Sequence, residues 1–257
     1  MNDNSDGKPA GKGRRILGIT FFNGGCLEAI QNLECGGLLT APSGPGLASD
    51  LFRCNEYRKA LEQSDLVLAD SGFLCLWERI FGQTKLERIS GLNFLQEFLE
   101  NSNWKAESSF WVMPDEKQSR KNTSWIEENF KIKIPNHSIY VPPKYNKEGV
   151  LCDPELLAKI EEYKPKNIFI QIGGGPQERL GLFLKTCLSY KPRILCTGAA
   201  LAFLSGNQVK IPKFFDRFYL GWLLRCLASP HIFIPRYLRA LRLIFILFKY
   251  RKSYSSN

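Results

Sequence analysis

Asp70 is the residue best placed to do chemistry. It closes the run Asp65-Leu66-Val67-Leu68-Ala69 and precedes Ser71-Gly72, after which Phe73 to Phe81 reads as a helix. A carboxylate at a strand-to-helix junction stands where parallel sheets keep their sites, and it can act as a general base. The same position is also the ordinary one for a helix N-cap, and the residues alone leave both readings open. A second junction is Ile172-Gly173-Gly174-Gly175-Pro176-Gln177-Glu178. Glycines there let backbone approach a phosphate closely. The segment lacks the third glycine of a dinucleotide fingerprint, and a plain tight turn explains it equally well. Thr40-Ala41-Pro42 and Lys85-Leu86-Glu87-Arg88-Ile89 look like further loop entries. With His137 and His231 as its only histidines, the chain has little material for a histidine triad or a multi-histidine metal site. It also has no Asp-x-Asp to clamp a metal-bound nucleotide diphosphate. No metal and no cofactor are therefore expected. A phosphate leaving group would be neutralised by Arg, Lys, backbone amides or helix N-termini.

These residues need elements to position them. RILGITFF, DLVLAD, SSFWVM, HSIYVP, NIFIQIG and RILCTG are each about one strand long. Helical patterns lie between them; Asp153-Pro154-Glu155, for example, opens a helix with an N-cap, a first-turn proline and an early acid. Strands that read as continuous apolar runs, alternating with helices, predict an α/β, Rossmann-like fold. Its sheet is mostly parallel and covered by helices on both faces. The expected organisation is a flexible lead-in over residues 1–15, a core over 16–206 and a basic, aromatic helical appendage over 207–257. Eight cysteines show no zinc or redox spacing, and Cys75 and Cys196 read as small buried hydrophobes. The lead-in lacks the apolar core of a signal peptide, and no run of eighteen apolar residues exists. A reducing cytosol is the simplest compartment.

The net charge of +10 is unevenly placed. Residues 207–257 hold ten basic residues against the single acid Asp216, so the body is almost neutral. Such a distribution argues against a nucleic-acid-coating protein. Within the appendage, Lys213 to Leu227 and Ile234 to Tyr250 read as two helices. In the second, Leu238, Leu241, Phe245 and Phe248 recur at three- and four-residue spacing. That face suits a membrane interface, and a core-packing helix with a basic rim explains it equally well.

Taken in order, these pieces resemble the WecG/TagA/CpsF glycosyltransferases, glycosyltransferase family 26, from about Ile16 to Leu243. The first strong block is YRKALEQSDLVLADSGFLCLWERIFGQTKLERISGLNFL; the second runs from IGGGPQE through TGAALAFLSGNQVKIP to GWLLRCLASPHIFIPRYL. The resemblance implies a bacterial, metal-independent, inverting transfer of an N-acetylhexosamine (N-acetylmannosamine type) or uronic acid from a UDP-sugar. The implied acceptor is a polyprenyl-diphosphate-linked sugar, in cell-surface polysaccharide synthesis at the inner face of the membrane. The appendage would dock the enzyme there peripherally, and self-association is left open. Carried over by position, Asp70 matches the general base and Thr40 its active-site partner. Arg88, Gln177 and Glu178 match substrate-binding positions, with Gly173 and Gly174 in the turn before them. Arg225 and Arg236 match basic positions of the appendage.

The sequence also departs from the family pattern. Ser71 follows Asp70 in place of glycine, and Pro42 replaces an asparagine. Ala202 replaces the aspartate of an FDF triplet, Lys210 an arginine and Gly221 a glutamate. Altered sugar specificity is one consequence of losing those polar groups. The alternative is a catalytically silent relative that binds a UDP-sugar or a partner enzyme.

Overall fold

The computed structural model describes residues 13–82, 85–102, 104–206 and 242–250, together with His231 and Leu238. Its centre is a six-stranded sheet, every neighbouring pair of which is parallel. The strands are β3 (Gly37–Thr40), β4 (Leu66–Val67), β5 (Ser109–Val112), β6 (Ile139–Tyr140), β7 (Asn167–Ile170) and β8 (Arg193–Cys196), in the order β4-β3-β8-β7-β5-β6. The α/β, Rossmann-like expectation therefore holds.

Alternation of side chains builds one core on each face of the sheet. Leu39, Trp111, Phe169 and Leu195 point to one side, where they meet helices α1 (Cys26–Gln31), α5 (Gly91–Asn101), α6 (Glu116–Phe130) and α9 (Ala200–Leu204). Trp111 and Phe169 stack there nearly parallel, 3.9 Å between ring centroids. Leu38, Phe110, Val112, Ile168, Ile170, Ile194 and Cys196 point to the other side, against α7 (Pro154–Tyr163) and α8 (Pro176–Cys187). Because both faces are buried, the strands carry no polar alternation and read as apolar runs. Asp153 caps α7 as its sequence implies, accepting the Leu156 N–H at 2.9 Å.

A third core gathers around the β4 edge. It holds a π-helical turn at Gly46–Asp50 running into α2 (Leu51–Arg53), α3 (Asn55–Glu62), α4 (Gly72–Phe81) and the helix Arg242–Lys249. It also holds RILGITFF, which is not one strand of the main sheet. That run forms an antiparallel hairpin of β1 (Arg14–Ile16) and β2 (Ile19–Phe21), reversing at Leu17-Gly18. Conversely, β3 lies inside the sheet although Gly37–Thr40 is too short and too plain to announce itself.

The helix Arg242–Lys249 carries two apolar faces. Leu243 and Leu247 are buried in the third core, whereas Phe245 and Phe248 are exposed. Leu238, which shares their spacing, is exposed too. The helix expected at Lys213 to Leu227 lies outside the described residues. No described helix is long and apolar enough to cross a membrane.

Candidate active site

All six strands point their carboxyl ends to one edge, and the loops after β3, β4, β7 and β8 lie side by side there. Asp70 stands in the β4 loop. It is not the N-cap of α4. That role falls to Ser71, whose hydroxyl accepts the Leu74 N–H at 3.3 Å. The carboxylate of Asp70 instead accepts the Gly91 N–H at 3.0 Å, at the first residue of α5. The amino end of that helix thus orients the carboxylate. Arg88 Nε donates to the Asp70 carbonyl at 3.2 Å, so Asp70 and Arg88 meet although eighteen residues separate them. Their turn is itself pinned: Asn23, after β2, donates to the Lys85 carbonyl and accepts the Glu87 N–H.

Gly91 is where three loops converge. A methyl on its Cα would sit 3.0 Å from the Thr197 carbonyl of the β8 loop and 3.4 Å from Ala41 of the β3 loop. Only the lack of a side chain lets the α5 amide reach Asp70 between them. Gly44 of the β3 loop lies against Ser71, a methyl there falling 3.0 Å from the hydroxyl. Thr40 ends β3 just beneath this loop. It is completely buried and shares a 3.1 Å hydrogen bond with Ser64, so its hydroxyl is turned into the protein.

The glycine turn closes the other side. Gly173 and Gly174 are exposed, with open space over the Gly173 α-carbon and the Glu178 carboxylate 3.9 Å from where a Gly174 methyl would sit, while Gly175 is buried at φ +95° at the N-cap of α8. Gln177 and Glu178 face inward at 2% and 1% exposure. Glu178 accepts the Gly175 N–H at 2.7 Å and a Gln177 amide N–H at 2.9 Å, and Gln177 accepts the Gly198 N–H at 2.8 Å. The pair therefore ties the turn after β7 to the loop after β8. Burial pushes the Glu178 carboxyl up to about 7 against the hydrogen bonds that pull it down, and nearby Asp50 raises it further. Arg179 donates to the carbonyls of Gly175, Gly149 and Asn146, fastening the loop after β6 to the same turn.

Gln171, which belongs to none of the candidate site motifs above, is a positioning residue. It donates to Thr197 Oγ1 at 2.7 Å and accepts the Leu201 N–H at 3.2 Å. A glutamine inside NIFIQIG is the signal that could have marked it, since a buried polar side chain in an apolar strand needs partners. Asp50, beside Gly175, had no such signal. Ala202 is buried on α9. Arg225, Arg236, Lys210 and Gly221 lie outside the described residues. Cys75 and Cys196 are buried, and burial raises the Cys75 thiol to about 12 and that of Cys196 well above its ordinary value. Among the described residues no three His, Cys, Asp or Glu side chains converge as metal ligands.

The fold and this edge define an α/β enzyme frame. Residues 15–257 match the model of the glycosyl transferase WecG/TagA/CpsF family, and the chain belongs to that family. It is a glycosyltransferase. Three similar proteins each bear the name N-acetylglucosaminyldiphosphoundecaprenol N-acetyl-beta-D-mannosaminyltransferase. The one from Bacillus spizizenii is 23% identical, covering 79% of this chain and 78% of its own. The Bacillus subtilis protein is 24% identical over 86% and 88% of the two chains, and that of Staphylococcus aureus 20% identical over 83% and 84%.

Proposed function

We propose that this enzyme transfers an N-acetylhexosamine of the N-acetylmannosamine type, or a uronic acid, from a UDP-sugar to a polyprenyl-diphosphate-linked sugar, with inversion and without a metal. The product is a growing cell-surface polysaccharide precursor made at the inner face of the membrane. The names of the similar proteins support the acceptor and the sugar type. The observation that carries the mechanism is the Asp70 carboxylate, held by the α5 amide at the same carboxyl edge of the sheet that carries the exposed glycine turn after β7.

Asp70 takes the proton from the acceptor hydroxyl as that oxygen attacks the anomeric carbon. The bond from that carbon to the diphosphate oxygen breaks on the opposite face, and UDP departs with the electron pair. Positioned base catalysis contributes roughly 10²- to 10⁴-fold. Gly173 and Gly174 offer backbone to the diphosphate, with Arg88, Arg225 and Arg236 as cationic partners. Gln177 and Glu178 act on the donor through the turn they hold. Thr40 supports the loop floor beside Asp70.

The test is UDP release from a panel of UDP-sugars with a synthetic N-acetylglucosaminyl-diphosphate lipid. One donor should turn over, and Asp70→Asn should lower kcat by about 10²- to 10⁴-fold with the melting temperature nearly unchanged. Undiminished turnover in that variant would remove Asp70 from the mechanism. No turnover with any donor would point to a silent, sugar-binding relative instead.

A further inference from the structure

Apart from Glu78 and Arg79, helix α4 is apolar from Phe73 to Phe81, on its outward face as well as its inward one. Here Leu74, Cys75 and Trp77 are buried, yet Phe73, Leu76 and Ile80 are exposed, Ile80 at 61%. Their spacing of three and four residues puts them on one outward face. Phe81 joins them, and the helix Arg242–Lys249 lengthens the ridge. Phe248 packs edge-on against Trp77 at 4.4 Å and tilted against Phe81 at 5.6 Å, and Phe245 stands 74% exposed beside it. Contiguous exposed apolar surface of this kind marks an interaction site.

The rim of the ridge identifies its partner. Arg79, Arg242 and Lys249 are all exposed on the same two helices. The acid of α4, Glu78, is buried and paired with Arg14 at 3.0 Å, and Arg242–Lys249 contains no acid. An apolar ridge rimmed by cations matches an anionic bilayer: rings and branched chains enter the acyl boundary while arginine and lysine stay among the headgroups.

We infer that the outer face of α4, extended by Phe245 and Phe248, inserts into the interface of an anionic membrane. The catalytic body thereby docks directly, in addition to any hold exerted by the basic appendage. The benefit rests on the proposed polyprenyl-linked acceptor. Phe73 is three residues from Asp70, so a membrane-seated α4 brings the base to the depth at which a lipid-linked sugar emerges.

The experiment is sedimentation of the full chain with mixed phosphatidylcholine–phosphatidylglycerol vesicles and with phosphatidylcholine alone. Leu76→Gln/Ile80→Gln should bind the mixed vesicles at least ~10-fold more weakly, since two exposed branched side chains no longer leave water. Arg79→Gln should weaken binding about 5-fold on the anionic vesicles only. The double variant's melting temperature should match the parent's, and its turnover of a short-chain, water-soluble acceptor should be retained. Vesicle binding equal to the parent's in the double variant overturns the inference. So does a change from dimer to monomer with vesicle binding intact, which would assign the ridge to a second copy of the chain. If the parent turns over no UDP-sugar but the double variant still loses vesicle binding, the proposed reaction fails and the docking face stands.

Discussion

Asp70 shows how a residue's neighbours choose between two roles that its position leaves open. A carboxylate at the start of α4 would ordinarily cap it, but Ser71 does so, which releases Asp70 to accept from Gly91. That bond depends on a close approach, and Gly91→Ala tests it. The new methyl meets the Thr197 carbonyl at 3.0 Å, so the variant should lose about 1–3 kcal/mol of stability by urea denaturation and some kcat as the amide withdraws. Glu178 makes a separate prediction. In an unfolded chain it titrates near 4.5, whereas in the fold it titrates near 7. Between those values the folded state keeps a proton that the unfolded state has released. Stability should therefore fall as pH rises from about 4.5 to about 7 and level off above. Urea midpoints measured across that range should show the slope, and Glu178→Gln should flatten it.

Among the elements, legibility tracks burial and length. DLVLAD and NIFIQIG are strands in sequence and in structure because both of their faces are covered, leaving unbroken apolar runs. α7 is equally legible, since its aspartate cap and first-turn proline act locally. β3 is harder to read. Four residues, two of them leucine, give no periodicity, and its place in the sheet comes from β4 and β8 on either side. RILGITFF has the right composition for a strand, but its reversal at Leu17-Gly18 pairs it with itself. The π-helical turn at Gly46–Asp50 likewise has no sequence signature, although it brings Asp50 to the glycine turn.

At the scale of the molecule, the basic end of the chain is also a structural part of it. Leu243 and Leu247 are buried, at 0% and 2% exposure, in the core that contains Leu47, Tyr57 and Trp77. Leu247→Ala should thus cost about 2–5 kcal/mol, read as a lower urea midpoint. For the same reason, deleting residues 207–257 removes core packing as well as charge. Point substitutions on the exposed faces are therefore the cleaner probe of membrane binding.

By itself the sequence determined the chemistry available: a carboxylate at a strand end, a glycine turn at a helix start, scarce histidine, and positive charge collected after residue 206. It also determined the α/β alternation, because burial of both sheet faces is written into contiguous apolar runs. Only the tertiary structure decided which groups meet. Asp70 joins Gly91, Gln177 joins Gly198, and Gln171 joins Thr197 across 21, 21 and 26 residues of chain. The physical reason is that such bonds depend on how parallel strands are ordered in space, and that order is set by packing among distant helices rather than by any local pattern.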